Sequence, residues 1–186
     1  TGIKRLSGVD HNDAQADWSP DGSRIVFSNI AADGQYSVWT MKPDGSDRQR
    51  LSPALSTMQQ SAPAWSPDGS QLVWTTWQKN GGHLFKINFK LKGAKPQQLT
   101  REPALYSHPA WSYQGNRIVF LKGSSNNFKE DPDPITFGSQ EQLAWVSADG
   151  GNVTVINRAN GRAYPHFVKS DDRIYLYSAS KGLLSI

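Results

Sequence analysis

The stretch ADWSPDGSRIVFS, residues 16–28, joins an anchor aromatic residue, a Ser-Pro-Asp-Gly turn and an apolar run. Nearly the same word returns as APAWSPDGSQLVWT at 62–75 and as HPAWSYQGNRIVFL at 108–121, and a divergent copy, YPHFVKSDDRIYLY, occupies 164–177. The copies follow one another at intervals of about 46 residues, with a longer interval before the fourth. A period of this length that holds several short strands is typical of a β-propeller blade.

Each repeat predicts four strands, A to D. Strand A ends at the anchor aromatic residue, and strand B follows the turn with three consecutive apolar residues, for example Ile25-Val26-Phe27. Because successive side chains leave opposite faces of a strand, both faces of the sheet must be buried, as happens when a blade packs between two neighbours. Strand D is short and polar, which suits an outer edge. The sequence predicts an all-β propeller over residues 1–186, either a whole domain or a fragment, with four-stranded antiparallel blades near 10–52, 56–100, 104–157 and 160–186.

The sequence predicts different exposures for the anchor tryptophans and for a tryptophan beside a loop. Trp18, Trp65 and Trp111 hold one register, so burial between blades explains them better than a row of carbohydrate-stacking rings. Trp77 adjoins the loop Lys79-Asn80-Gly81-Gly82 and is predicted to be the exposed tryptophan.

The two ends of the chain are complementary. Residues 1–7 match the strand D segments of the later repeats, whereas residues 182–186 read as a strand C with no strand D after it. Pairing the N-terminal strand with the last blade would complete that blade and close the ring. The same unpaired ends also permit two chains to exchange strands in a homodimer. The sequence leaves both arrangements, and the blade number of the full ring, open.

Composition limits the classes of partner. The chain has 20 basic and 16 acidic residues and a formal net charge of +4, without a basic block, so nucleic-acid binding is not expected. Cysteine is absent, which suits an oxidising compartment. No segment reaches the roughly 18 consecutive apolar residues of a membrane span. The start at Thr1 and the absence of a signal sequence indicate a mature protein or a piece of a longer one.

The word A-x-W-S-P-D-G-x-x-[IL]-V-[FW], with its later Asp-Gly turn and R-L-[ST] strand, resembles the TolB-like, WD-repeat-like β-propeller repeat. Similar repeats occur in tricorn-like and prolyl-oligopeptidase-like peptidases. The stretches GGHLFKI, PQQLTREPALYSHPAWS and PHFVKSDDRIYLYS are most similar to the propellers fused to secreted bacterial amidohydrolases. The resemblance covers nearly the whole chain, although family propellers generally have more than four blades.

This resemblance implies a periplasmic or secreted bacterial propeller that binds, gates or docks. The leading hypothesis is a non-catalytic binding scaffold, an accessory domain whose partner is another protein or the rest of a larger polypeptide. A second hypothesis makes it the substrate-gating propeller of an amidohydrolase or peptidase whose active site lies outside this segment. A third makes it a metal-dependent lyase of polyuronates, because propeller-fold lyases bind a metal through channel histidines.

Candidate binding residues follow from the expectation that the A strands line the propeller axis. They are the polar and aromatic residues of these strands and of the segments before them: Asp10, His11, Asp13, Asp17, Tyr106, His108, Arg162, Tyr164 and His166. A metal would need three or four converging ligands, and no paired-histidine motif supports one. Histidines satisfied by nearby backbone or solvent are the favoured interpretation, so no metal and no cofactor are predicted.

The longest insertion, residues 123–140, separates strands B and C of the third repeat. Insertions in repeat proteins cluster on one face and often contact a partner. Asp131 and Asp133 lie in this insertion and join the candidate binding residues, although their spacing lacks the glycine and ligand pattern of a calcium loop. The chain carries no nucleophile elbow, phosphate loop or metalloprotease motif, so no catalytic residue is predicted. The sequence does not identify a ligand.

Overall fold

The Ser-Pro-Asp-Gly word forms a tight turn because its side chains bond to its own backbone. In the computed structural model, the Ser19 hydroxyl donates to Asp21 Oδ1 at 2.7 Å and accepts the Arg24 N–H at 2.9 Å. The bond from the Ser19 hydroxyl, with two others from Ser23, holds the pKa of Asp21 down at about 2. The second repeat makes the same bonds through Ser66 and Asp68. In the third repeat the Ser112 hydroxyl donates instead to the side-chain oxygen of Asn116. Each turn therefore joins strands A and B without help from the rest of the fold.

The structure describes residues 2–8, 12–53, 58–124, 141–159, 164–168, 173–178 and 182–185. Its strands are β1 (Asn12–Trp18), β2 (Ile25–Ile30), β3 (Tyr36–Met41), β4 (Gln49–Arg50), β5 (Gln59–Trp65), β6 (Gln71–Trp77), β7 (Leu84–Asn88), β8 (Gln97–Gln98), β9 (Leu105–Trp111), β10 (Arg117–Gly123), β11 (Gln142–Ser147), β12 (Thr154–Arg158), β13 (His166–Phe167), β14 (Ile174–Ser178) and β15 (Gly182–Ser185). Among these residues no helix is long and apolar enough to cross a membrane.

The strands form four antiparallel sheets in chain order: β1–β4, β5–β8, β9–β12 and β13–β15. Each sheet is one blade, and consecutive blades pack face to face. The all-β propeller with strand A ending at the anchor residue is confirmed. The outer strands β4 and β8 are two residues long and exposed, as the polar strand D segments predicted.

The consecutive apolar residues of strand B bury both faces of each blade. In the first blade, Val26 joins a cluster with Trp65, Leu72 and Trp74 of the second blade. Its neighbour Phe27 points to the opposite face and is also buried, at 1% exposure. The same division recurs at the next two junctions. A blade of this composition therefore needs cover on both sides.

The anchor tryptophans show which neighbour supplies that cover. Trp65 and Trp111 are buried against the preceding blade, and Trp111 Nε1 donates to Ala64 O at 3.2 Å. Trp18 holds the same register but is 54% exposed, so its predicted burial is wrong. The reason is positional, since Trp18 belongs to the first blade and no preceding blade lies against it in the part of the chain that is described.

The prediction for Trp77 is also wrong, in the opposite sense. Its side chain is 6% exposed and packs edge-on against Tyr36 of the first blade, with ring centroids 5.2 Å apart. The glycine loop that suggested exposure folds back instead, because Gly82 pairs with Ala104 at the start of the third blade.

The N-terminal segment lies beside the first blade as a strand D would. Leu6 packs on the face formed by Phe27 and its neighbours. Gly45 has φ 89°, and a Cβ there would lie 2.9 Å from Leu6 O. Gly150 has φ 86° and stands in the same relation to Leu99 O, at 3.0 Å. Leu6 thus holds, beside the first blade, the place that Leu99 holds beside the third.

The predicted pairing of this segment with the last blade does not hold for the described residues. Residues 2–8 form no strand, and the last sheet ends at β15, which matches the predicted strand C. Leu6 packs on the first blade as the strand D of a preceding blade would, but among the described residues no ladder joins its segment to β15. The packed junctions run from the first blade to the fourth along the chain.

Replacing the equivalent residues Trp65 and Trp18 tests this arrangement. Trp65→Ala should lower the free energy of unfolding by about 3–5 kcal/mol, because it empties a buried site between blades. Trp18→Ala should cost less than about 1 kcal/mol, because the ring is half exposed. Urea denaturation followed by circular dichroism measures both. Equal losses would mean that a further blade covers Trp18.

Candidate functional site

The inner strands share a backbone irregularity at the propeller axis. Strands β1, β5 and β9 each contain a β-bulge before the anchor tryptophan. At the same place in each bulge a residue other than glycine has a left-handed φ: 52° at Gln15, 50° at Ala62 and 50° at His108. Such a conformation costs about 1–3 kcal/mol. Because it recurs in three blades, it belongs to the blade architecture.

In the bulge of β5, a backbone N–H points toward the preceding blade and forms hydrogen bonds with it. The Ala62 N–H donates to Gln15 Oε1 and to Ser28 Oγ of the first blade, both at 3.0 Å. The Ser28 hydroxyl in turn donates to Gln15 Oε1 at 2.9 Å. The Gln15 side chain thus bridges the junction between the first and second blades.

Asp13 and Asp17, both predicted as binding residues, are used within the blades. Asp13 accepts two hydrogen bonds from the Arg48 guanidinium, at 2.7 and 2.8 Å. That guanidinium lies over the rings of Phe27 and Trp39, 4.5 and 5.4 Å from their centroids. Asp13 therefore fastens a cation over the aromatic rings on the Phe27 face of the first blade, the face on which Leu6 also packs.

Asp17 joins the first two blades. Its Oδ2 accepts the Trp65 N–H at 2.8 Å. Burial raises the pKa of the Asp17 carboxyl, and hydrogen bonds from backbone N–H groups partly offset that effect. The carboxylate acts as a fixed acceptor between blades and does not project into the channel as a free ligand.

Tyr106 also forms its contacts within the fold. Its hydroxyl donates to Glu102 O at 2.7 Å, and its ring packs edge-on against Phe120 at 5.3 Å. Burial raises the pKa of the hydroxyl, so it stays protonated near neutral pH.

His108, Tyr164 and His166, all predicted as binding residues, lie close together next to the anchors Trp111 and Phe167. The His108 and Tyr164 rings meet edge-on with centroids 4.6 Å apart, and His166 Nδ1 lies 2.9 Å from Tyr164 O. Burial lowers the pKa of His108, which is therefore neutral at physiological pH. Tyr164 is half exposed. These residues form an aromatic cluster on the innermost strands, on the side of the anchor residues toward the start of β9, which we call the upper face.

A small cavity opens beside this cluster. Its volume is about 90 Å³, and it spans the upper ends of the first three blades. The walls are mainly apolar and aromatic, formed by Ile30, Tyr36, Trp77, Leu105 and Tyr106, with Ala62, Ser107 and His108 on the channel side.

Five predicted binding residues lie outside the described residues: Asp10, His11, Arg162, Asp131 and Asp133. The strands that flank the insertion, β10 and β11, end and begin at the upper face, since Gly123 pairs with Leu105 at the start of β9. The roles of these five residues stay predictions.

Two residues of this region were not found by sequence reasoning. Ser107 is 6% exposed, and its Oγ has no hydrogen-bond partner among the described residues. Glu141 is 3% exposed, its Oε1 has no partner in the same part of the chain, and burial raises its pKa to about 7. Ser107 occupies the register of Ser61 in the repeat, but only packing from other blades shows that its hydroxyl faces a cavity.

Comparison with known proteins places this chain by structure alone. No family model matches it, and no curated protein does. TolB from Acinetobacter baumannii superimposes with a TM-score of 0.63 at 15% identity, over 95% of this chain and 43% of that one. An oligogalacturonate lyase in complex with manganese gives 0.69 at 16%, over 98% and 52%. A puromycin-hydrolysing peptidase of Mycobacterium tuberculosis gives 0.59 at 14%, over 94% and 30%.

The likeness shows a TolB-like β-propeller fold. At these identities it shows nothing about activity. The chain spans about half the length, or less, of the solved structures that it matches.

The manganese-bound neighbour raises the question whether this channel suits a metal. Among the described residues no three histidine or acidic side chains converge. The ring of His108 packs against Tyr164, and the carboxylates of Asp13 and Asp17 already bond to Arg48 and to the Trp65 N–H. The described residues therefore do not fit a manganese site.

Glu141 predicts a pH-dependent stability. Its carboxyl keeps a proton in the folded state up to about pH 7, whereas the unfolded chain loses that proton near 4.5. The folded state binds more protons between these values, so the stability contribution of the protonated group is lost as pH rises through this window. The free energy of unfolding should fall by at most about 1.4 kcal/mol per pH unit.

Urea denaturation of Glu141→Gln between pH 4.5 and 8 measures this effect. The substitution should flatten the pH profile and raise stability above pH 7, because the amide does not ionise. Glu102→Gln is the control, since that side chain is 83% exposed and should leave the profile unchanged. A wild-type profile with no slope between pH 5 and 7 would contradict the assignment.

Proposed function

We propose that the chain is a non-catalytic binding propeller that docks a polypeptide partner at its upper face. The observation that carries the proposal is the aromatic cluster of Tyr164, His108 and His166. Tyr164 presents an exposed ring that is held in place by edge-on contact with a neutral His108. A rigid tyrosine with one apolar side and a polar tip is a common anchor of protein interfaces.

The polar groups of the inner strands support a scaffold role. Asp13, Asp17 and Tyr106 each bond to the blades themselves, through Arg48, the Trp65 N–H and Glu102 O. Groups fixed in this way hold the blades in register and give the upper face a rigid shape. Such preorganisation favours binding, because little side-chain freedom is lost when a partner docks.

The resemblance to TolB-like propellers supports an inference about the parent protein and its cellular location. We infer an accessory domain of a larger exported bacterial protein, located in the periplasm or secreted. The coverage supports this inference, since the chain matches 43% of TolB and 30% of the mycobacterial peptidase. The absence of cysteine suits an oxidising compartment.

Site-specific photo-cross-linking tests the docking face. A benzophenone amino acid is placed at Tyr164, or at Tyr113 as the matched control. The two side chains are 52% and 50% exposed, but Tyr113 lies in the turn after β9, at the opposite end of the blades. In the native host, irradiation should give discrete polypeptide adducts at Tyr164 and none at Tyr113.

The second arm of the experiment combines the Tyr164 probe with His108→Leu, which keeps an apolar contact but alters the aromatic cluster. The adducts should decrease several-fold while circular dichroism stays unchanged. Equal labelling from both faces, or no adduct at the upper face, would reject the proposal.

A gating role within a larger hydrolase is the second candidate, favoured by the match to a peptidase of which this chain spans 30%. In a polypeptide that carries such an active site, Tyr164→Trp should narrow the upper face. It should lower kcat/KM for long substrates and leave kcat/KM for a short chromogenic substrate unchanged. An equal effect on both substrates would contradict gating.

A further inference from the structure

One side-chain position recurs at the three junctions between blades, held by Gln15, Ala62 and His108 in turn. At the first junction the Gln15 side chain fills it, and its Oε1 accepts the N–H of the next bulge, Ala62. Gln15 and Ala62 have nearly the same φ, 52° and 50°. They are equivalent residues of neighbouring repeats, so their side chains leave the backbone in the same direction relative to the next blade.

At the second junction, Ala62 presents a methyl group where Gln15 presents a long amide side chain. The cavity of about 90 Å³ lies here, bounded by Ala62 and by the bulge of β9 at Ser107 and His108, with Gln15 of the first blade as a further wall. The repeat thus builds a gap that accommodates one side chain and, at this junction, supplies no side chain to fill it.

The walls define the chemistry of a guest. Ile30, Trp77 and Leu105 line one part of the cavity, and Tyr36 holds the Trp77 ring edge-on. Thr75 lines it too, but its hydroxyl already donates to Ser61 O at 3.0 Å. Gln15 also borders the cavity, and its Oε1 already accepts hydrogen bonds from the Ala62 N–H and the Ser28 hydroxyl. A charged guest would lose its water without meeting an opposite charge in this lining, whereas an aliphatic guest would gain apolar contact.

Ser107 adds one polar requirement. Its side chain is more than nine-tenths buried, it lines the cavity, and its hydroxyl has no hydrogen-bond partner in the described parts of the chain. A buried hydroxyl without a partner is costly, so a guest that brings a hydrogen-bonding group beside its apolar body satisfies it. A backbone amide next to an aliphatic side chain has this combination.

The volume limits the size of the guest. About 90 Å³ corresponds to roughly three water molecules, and an apolar cavity of about 150 Å³ is known to bind benzene. A single branched aliphatic side chain is therefore the size of guest that we expect here.

We propose that this cavity is a binding subsite for one branched aliphatic side chain, Leu, Ile or Val, of a docked polypeptide, with the adjacent backbone amide hydrogen-bonded to Ser107. The subsite rests on the proposed function of polypeptide docking at the upper face, and it names the residue type that the face selects.

Titration with N-acetyl-L-leucine N-methylamide, followed by two-dimensional amide NMR, tests the subsite. The amide resonances of Ala62 and Ser107 and the indole resonance of Trp77 should shift saturably, with a dissociation constant of the order of millimolar. N-acetylglycine N-methylamide carries the same backbone without the side chain, and it should give no saturable shift. Equal shifts with both probes would overturn the proposal.

Ala62→Gln is the blocking variant, because Gln15 shows that glutamine is accommodated in this backbone conformation. It should abolish the saturable shifts at Ser107 and leave the melting temperature equal or higher. Ala32→Gln, at an exposed loop residue, is the control and should bind like the wild type. Ser107→Ala should weaken binding about two- to tenfold. Unchanged binding in both Ala62→Gln and Ser107→Ala would overturn the site.

The two proposals fail separately. Site-dependent cross-linking at Tyr164 without saturable binding of the leucine probe would overturn the subsite and leave docking intact. Saturable leucine binding that Ala62→Gln abolishes supports the subsite, and an absence of cross-linked polypeptide would then reject docking alone.

Discussion

Burial of both faces of every sheet is the constraint on which this structure depends. Strand B carries apolar residues at consecutive positions, so Val26 and Phe27 point to opposite sides and both are buried. One sheet cannot bury two faces by itself, so blades must stack in succession. The direction of stacking follows from the anchor tryptophans, which pack against the preceding blade. The junctions, more than the individual sheets, therefore determine where side chains meet.

Much of this arrangement could be predicted from the sequence because it is repeated. The period, the turn chemistry and the apolar triplets each depend on residues close in the chain, and every copy confirms the others. Trp18 and Trp77 could not be assigned correctly, because their exposure depends on contacts between blades. Trp18 carries the repeat signature, but no preceding blade covers it in the described part of the chain, whereas Trp77 lies beside a glycine loop and packs on Tyr36.

For the candidate residues, the sequence predicted positions on the inner strands but not the partners that each side chain bonds to. The grouping of His108, Tyr164 and His166 follows from their register before the anchors. The commitments of Asp13 to Arg48 and of Asp17 to the Trp65 N–H involve partners 35 and 48 residues away. Nothing in the local sequence distinguishes an aspartate that binds a ligand from one that binds its own fold. Ser107 and Glu141 were missed for the same reason, since burial without a partner is a property of the packed structure.

The guanidinium of Arg48 has a consequence for the energetics of the first blade. It lies across Phe27 and Trp39 and is held by Asp13, and the two charged side chains are only 19% and 12% exposed. Removing one partner of such a pair is costly, because the remaining charge loses its counter-ion without regaining water. Arg48 and Asp13 are 35 residues apart in the chain, yet substitution of either alone is expected to be tolerated less well than replacement of both.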